Sequence, residues 1–244
     1  MNEYLSWKEK ITSDFSPDNI STLYTDGFVF TRIGKGVLNQ TRSVRIDLSK
    51  FELNSENKRI LRKTEDVILE IKQIPYSDYS WEIHKLGFDF YETKFGEKTF
   101  SAQKIKELIT DENKTNFNTL LKFCHYENPP VGGDAANPLI IESRGIASPA
   151  VRNDTTVYGY CICYMDKDIL HYCYPFYDLD SEISNLGIGM MTKAIVCAKE
   201  QNLKYVYLGS AKDSKALYKF QFEGIEWFNG KNWQTDITEL KKIL

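Results

Sequence analysis

The chain has 244 residues, 42% of them hydrophobic, enough to bury one large core or two small ones. Its 31 basic and 34 acidic residues leave a net charge of −3, which excludes a global basic field for nucleic acid and confines any such contact to a local patch. No apolar run approaches the roughly 18 residues of a membrane span, and Met1–Lys8 has no basic segment leading into an apolar one. A cytoplasmic protein with no membrane partner is expected.

Residues 1 to about 22 read as a short helix and a polar link. Gly27-Phe28-Val29-Phe30 and Ser43-Val44-Arg45-Ile46-Asp47 then alternate as strands around the turn at Gly34-Lys35-Gly36. Asn54 or Ser55 caps a basic helix that runs through Lys58, Arg59, Arg62 and Lys63. Val67–Lys72 reads as a strand, and Trp81–Phe95 and Ala102–Ile109 have helical apolar spacing. Between Asn128 and Asp154 the composition turns to Pro, Gly, Ala and Asn, interrupted by Leu139-Ile140-Ile141-Glu142. A connection of that length is either a loop over a substrate site or an insertion.

Beyond it, Val157–Met165 and Ile169–Tyr177 form a hairpin around Asp166-Lys167-Asp168. The second strand ends in Asp178 and Asp180 and feeds a glycine-led helix, Asn185-Leu186-Gly187-Ile188-Gly189-Met190-Met191, followed by a strand at Tyr205–Gly209. Unpaired N–H groups at a helix start carry partial positive charge, and glycines admit a phosphate or ribose closely. Asn229-Gly230 between aromatic flanks predicts a type I′ hairpin. The five cysteines, Cys124, Cys161, Cys163, Cys173 and Cys197, fall within apolar patterns and read as buried thiols, and neither metal nor cofactor is expected. His84, His125 and His171 follow no ligand spacing. His171, two residues from Cys173 on one strand face, is the one candidate base, against a packed core histidine.

The order of hairpin, acidic strand end, glycine-led helix and strand resembles the GNAT acyltransferase fold, although Ser184 stands where that family's loop usually has Gln or Arg. A narrower resemblance is to the aminoacyl-tRNA–protein transferases, the arginyl and leucyl enzymes. It rests on Gly27-Phe28 through Ser43-Val44-Arg45-Ile46 to Ser55–Lys63, on Tyr174-Pro175-Phe176-Tyr177-Asp178 with Leu186-Gly187, and on Ala216-Leu217-Tyr218-Lys219-Phe220-Gln221-Phe222. These are similar to that family's "GFRRS…PVRV…SQRRVLRRN", "YYDPDY…SLG" and "MRYKxxF" runs. The family's N-terminal cysteines have no counterpart, Asn39-Gln40-Thr41-Arg42 occupying their place.

The resemblance implies an α/β (α+β) fold, with a smaller α/β domain at 1–115 and a GNAT-like, mostly antiparallel sheet flanked by helices at 116–244. It implies an enzyme that moves an amino acid from aminoacyl-tRNA to an amine, a protein or peptide N-terminus. An acyl-CoA N-acyltransferase and a non-catalytic N-terminus or RNA binding module stand as alternatives. Ester aminolysis needs a proton acceptor and donors for the oxyanion. Asp178, Tyr218 and Lys219 are the candidate catalytic residues, and Asp180, Gly187, Gly189 and Glu226 the candidate substrate contacts. Arg42, Arg45, Lys58, Arg59, Arg62 and Lys63 are the candidate tRNA contacts, a dense cationic run in an acidic chain.

Overall fold

The computed structural model describes residues 5–126, 139–140 and 155–244, so most of the Asn128–Asp154 stretch lies outside the described residues. Its elements in chain order are β1 (Lys8–Ile11), α1 (Pro17–Thr25), β2 (Phe28–Phe30), β3 (Val37–Gln40), β4 (Ser43–Asp47), α2 (Ser55–Lys63), β5 (Ile68–Gln73), α3 (Trp81–Phe95) and α4 (Ala102–Thr110). There follow β6 (Thr119–Tyr126), β7 (Leu139–Ile140), β8 (Thr155–Met165), β9 (Ile169–Tyr177), α5 (Leu186–Glu200) and β10 (Tyr205–Ser210). A 3₁₀ helix (Ser214–Gln221), β11 (Ile225–Phe228), β12 (Trp233–Gln234) and α6 (Ile237–Lys242) complete the described chain.

A small sheet of order β1-β3-β2 stands beside a larger one of order β12-β11-β4-β10-β9-β8-β6-β5-β7. Among the described residues of the larger sheet only β9 with β10 and β5 with β7 run parallel, so the architecture is a mostly antiparallel α/β one. Strands from both sides of residue 115 share it: β4 lies between β11 and β10, and β5 pairs with β6.

Side chains alternate across a strand, and here the alternation divides two cores. Leu121, Phe123, Cys161, Cys163 and Tyr172 face α5, against Met190, Met191 and Ala194. Leu120, Tyr160, Ile162, Tyr164 and Phe176 face the other way, against Ile83 and Phe90 of α3, Ile105 and Leu108 of α4, and Tyr24 of α1. The sheet is therefore covered by helices on both faces. Among the described residues no helix is long and apolar enough to cross a membrane.

Several local signals are realised by the expected chemistry. The Asn54 side chain accepts from the Asn57 N–H at 2.9 Å and caps α2, whose last turn carries Arg62 and Lys63 where the helix dipole favours cations. The C-terminal hairpin forms, but not with a type I′ turn. Asn229 Oδ1 accepts from the N–H groups of Lys231 and Asn232, and Gly230 alone takes a positive φ, so the loop is wider than two residues. The first 22 residues differ too, since Lys8–Ile11 is a strand pairing with β3 and helix α1 starts only at Pro17.

Candidate active site

Parallel neighbours need a crossover, and α5 supplies it between β9 and β10. The two strands pair from Ile169–Tyr205 to His171–Tyr207 and then part. Strand β10 bends at Gly209 (φ 74°) and, after a register shift, rejoins β4 at Ser210, while β9 continues to Tyr177. The gap is a cleft of about 560 Å³. Its walls are β9, the aromatic end of α3 (Phe90, Tyr91, Phe95), the start of α5 (Gly187, Ile188, Met191) and the 3₁₀ helix (Lys215, Tyr218, Lys219).

Three residues expected from sequence meet there: Gly187, Tyr218 and Lys219. Asp213 accepts from the Lys215 N–H at 2.9 Å and starts the 3₁₀ helix, which turns Lys219 inward. Lys219 is only 8% exposed, and its ammonium donates to the Ser210 carbonyl at 2.8 Å. Burial disfavours the charged form and pulls its pKa down to about 8. Tyr218, half-exposed, stands beside it. Gly187 is required by close approach, because a Cβ there would lie 2.6 Å from the Tyr177 hydroxyl. Gly189 serves packing instead: a Cβ would meet Thr64 at the end of α2 at 2.5 Å. Helix α5 opens on Asn185 in the left-handed region (φ 65°).

The remaining expected site residues lie elsewhere. Asp178 and Asp180 do not line the cleft. The Asp178 N–H donates to the Tyr158 carbonyl at 2.8 Å and its carboxylate accepts from the Asp180 N–H at 3.0 Å, an end-of-strand turn. Arg45 and Glu226, expected as separate contacts to tRNA and acceptor, bind each other at 2.8 Å. Arg45 is 7% exposed and lies between the Tyr205 and Trp233 rings, 4.0 and 3.9 Å from their centres. Arg42 braces the bend after β10 by donating to the Ala211 carbonyl at 3.3 Å. Arg59 pairs with Glu56 at 2.5 Å. Lys58, Arg62 and Lys63 remain exposed on α2.

Sequence reasoning missed Arg32, Lys94 and Lys215, which with Lys219 give the cleft four cations and no carboxylate among the described residues that line it. It also missed Tyr172, 2% exposed, whose hydroxyl has no hydrogen-bond partner among the described residues. No local pattern marks these residues, which come from separate elements.

His171 is buried, with Tyr24 Oη at 2.8 Å from Nδ1 and Cys173 Sγ at 3.0 Å from Nε2. Burial, and secondarily the Lys219 charge, lower its pKa to about 3, while burial raises the Cys173 thiol. Both groups are therefore neutral at pH 7, and the pair is neither an activated nucleophile nor an effective base. The shift has a stability consequence. As pH falls from 6.5 toward 3 the unfolded chain takes a proton that the folded chain refuses, so stability is complete above 6.5 and drains below it. His171→Gln, which does not titrate, is expected to reduce the stability lost between pH 7 and pH 4.5 by about 2 to 3 kcal/mol, measured from urea midpoints at the two pH values.

Residues 76–229, more than half of the chain, match the family described as "Arginine-tRNA-protein transferase, C terminus". An aspartate/glutamate leucyltransferase of Ruegeria pomeroyi is 26% identical over 194 residues, 79% of this chain and 61% of that protein. Another of the same name from Dinoroseobacter shibae is 33% identical over 100 residues, 39% of this chain and 35% of that protein. The chain thus spans under two thirds of the length of either relative. Among solved structures, L-PGS from Bacillus licheniformis aligns over 93% of this chain and 69% of its own, at 9% identity and a TM-score of 0.45. A GCN5-related glucosamine N-acetyltransferase region of a fungal protein aligns over 89% and 22%, at 8% identity and a TM-score of 0.43. On the family match, this chain belongs to the arginine-tRNA-protein transferase C-terminus family.

Proposed function

We propose that the chain moves an apolar aminoacyl group, leucyl in the first instance, from the 3′ end of an aminoacyl-tRNA to the α-amine of a protein with an acidic N-terminal residue. The observation that carries this reading is Lys219, a buried amine with a pKa of about 8 in the wall of the cleft. An acceptor α-amine has an ordinary pKa of about 7.7–8.0, so proton transfer between the two is nearly balanced. The relatives named aspartate/glutamate leucyltransferase support the same donor and acceptor classes.

The lining favours an apolar donor. Phe90, Ile188, Met191 and Leu208 offer contacts to a leucyl side chain, whereas an arginyl guanidinium would enter among four cations with no carboxylate among the described lining residues to pair with. In the reaction the amine nitrogen bonds to the ester carbonyl carbon and the carbon–oxygen bond to the ribose breaks. Lys219 takes the amine proton and returns it to the departing ribose oxygen. Tyr172 Oη donates to the oxyanion in between, and Tyr218 holds the ribose at the mouth. First-turn N–H groups of α5 at Gly187 and Ile188 face the terminal phosphate.

The end of α2 abuts the first turn of α5 through Thr64 and Gly189, so its exposed Lys58, Arg62 and Lys63 make a track for tRNA backbone leading toward the cleft. Replacing all three with Gln is expected to weaken tRNA binding and to flatten the slope of log affinity against log salt by about 2, at roughly 0.7–0.9 for each phosphate no longer neutralised. An unchanged slope would remove α2 from the interface.

The reading is tested by incubating the protein with leucyl-tRNA and peptides that begin with Asp, Glu, Ala or Lys. A leucyl-sized mass gain, abolished by ribonuclease and confined to the acidic N-termini, is expected. Acetyl transfer from acetyl-CoA in place of leucyl transfer, or no gain from either donor, would overturn it.

A further inference from the structure

Arg32 lines two concavities. Besides the main cleft it borders a pocket of about 210 Å³ formed with Thr31, Ile33, Asn39 and Tyr174, and the two spaces share Arg32 and Tyr174. The guanidinium is already oriented. One Nη donates to the Thr99 carbonyl at 2.5 Å, and the group lies over the Phe100 ring at 4.1 Å from its centre and 5.6 Å from that of Tyr174. Among the described residues no carboxylate pairs with it. A half-buried arginine held flat on an aromatic ring without a counter-ion is prepared for a planar anion, which its fork binds through two parallel N–H bonds.

Asn39 supplies the second observation. It is 4% exposed, on the central strand of the small sheet, and its Oδ1 is buried with no hydrogen-bond partner among the described residues. Natural proteins seldom leave such an acceptor unpaired, and one lining a pocket beside an unpaired cation calls for a ligand that donates as well as accepts. The volume is below the roughly 300–1,000 Å³ of pockets that take whole small molecules, and suits a single side chain.

We infer that this pocket is the acceptor subsite: Arg32 takes the side-chain carboxylate of an N-terminal aspartate or glutamate, and Asn39 accepts a hydrogen bond from the acceptor's main-chain N–H. The inference rests on the transfer reading above and adds the residues that choose the acceptor. With its carboxylate in the small pocket, the acceptor presents its α-amine across Tyr174 to the main cleft, where Lys219 lies. Asparagine and glutamine N-termini have the same shape without the charge, and are refused because they leave Arg32 unpaired.

The experiment is isothermal titration of the full chain, without tRNA, using peptides that differ only in an N-terminal Asp, Asn, Glu or Gln. The unsubstituted protein is expected to bind Asp over Asn, and Glu over Gln, by about tenfold or more. Arg32→Gln should bring each ratio close to one. Arg32→Lys, which keeps the charge and loses the fork, should fall between. Asn39→Leu should weaken all four peptides alike. Equal binding of Asp and Asn peptides by the unsubstituted protein overturns the inference, whether or not the variants fold. So does a ratio that survives in folded Arg32→Gln. Leucyl transfer is followed in parallel: discrimination without any transfer overturns the reaction and keeps the pocket, whereas transfer to all N-termini alike overturns the pocket and keeps the reaction.

Discussion

Lys219→Met is expected to lower aminoacyl transfer by about 10²- to 10⁴-fold, the usual contribution of a positioned general base, without unfolding the protein. With a pKa of about 8, roughly a tenth of the amine is neutral at pH 7, so the rate of the unsubstituted protein should climb with pH and level off above 8. The folded pKa lies below the ordinary lysine value of 10.5, so burial of the charge costs stability at every pH below about 8, and that cost fades between 8 and 10.5. Methionine removes the cost but leaves the Ser210 carbonyl without its donor. The two effects oppose, and the melting temperature at pH 7 should move by no more than a few degrees. Lys219→Arg separates the roles, since arginine keeps the cation and does not release a proton. Restored turnover in that variant would make Lys219 an electrostatic group and not a base.

Glu226→Ala is expected to destabilise the fold by about 3 to 5 kcal/mol, a fall in melting temperature on the order of 10 °C, because it strands the Arg45 guanidinium in the interior. Arg45 binds the Glu226 carboxylate through two nitrogens, Nε and one Nη, both at 2.8 Å, and donates to Tyr207 Oη at 3.2 Å. Its stacking between Tyr205 and Trp233 leaves the charge little contact with solvent. Arg45→Met should cost less, since Lys50 still reaches Glu226 at 3.2 Å. The combined Arg45→Met and Glu226→Leu variant should recover most of the loss, as paired buried charges exchanged for apolar groups often do. Thermal melts of these proteins together with the single Glu226→Leu variant complete the cycle. If Glu226→Ala melted normally and instead failed to bind its acceptor peptide, the residue would be a substrate contact after all.

The elements that the sequence announced are those where one physical signal dominates. Trp81–Phe95 has helical apolar spacing, with Ile83, Gly87, Phe90 and Tyr91 buried, and Ile169–Tyr177 starts after an Asp-Lys-Asp turn and ends at acidic residues, so both bounds are found where expected. The first strand was hidden because all four residues of Lys8–Ile11 are exposed, leaving no alternation to read. Strand β6 was hidden for the opposite reason, since Thr119–Tyr126 is buried on both faces for most of its length and its pattern resembles any short apolar run.

The site was legible in part. Tyr218 and Lys219 came from resemblance, and no periodicity would have found them, because an inward-turned lysine on a 3₁₀ helix looks like surface in the sequence. A carboxylate at a strand end is also what closes a turn, and Asp178 closes one. Arg45 and Glu226 look like two free charges when read along the chain. Strands β4 and β11 bring them opposite each other in register, a fact of topology and not of composition.

The parting of β9 from β10 does more than make room. Among the described residues β9 has no strand partner on its β10 side beyond His171, so main-chain groups along that margin are free of sheet pairing there, apart from Pro175, which has no N–H and whose carbonyl accepts from Tyr91 Oη. An extended aminoacyl or peptide segment laid there would be gripped as a provisional strand, through groups common to every polypeptide. Such a grip is indifferent to sequence. Discrimination would then fall to a few side chains around it, and chains that have only their first residue in common would be held alike.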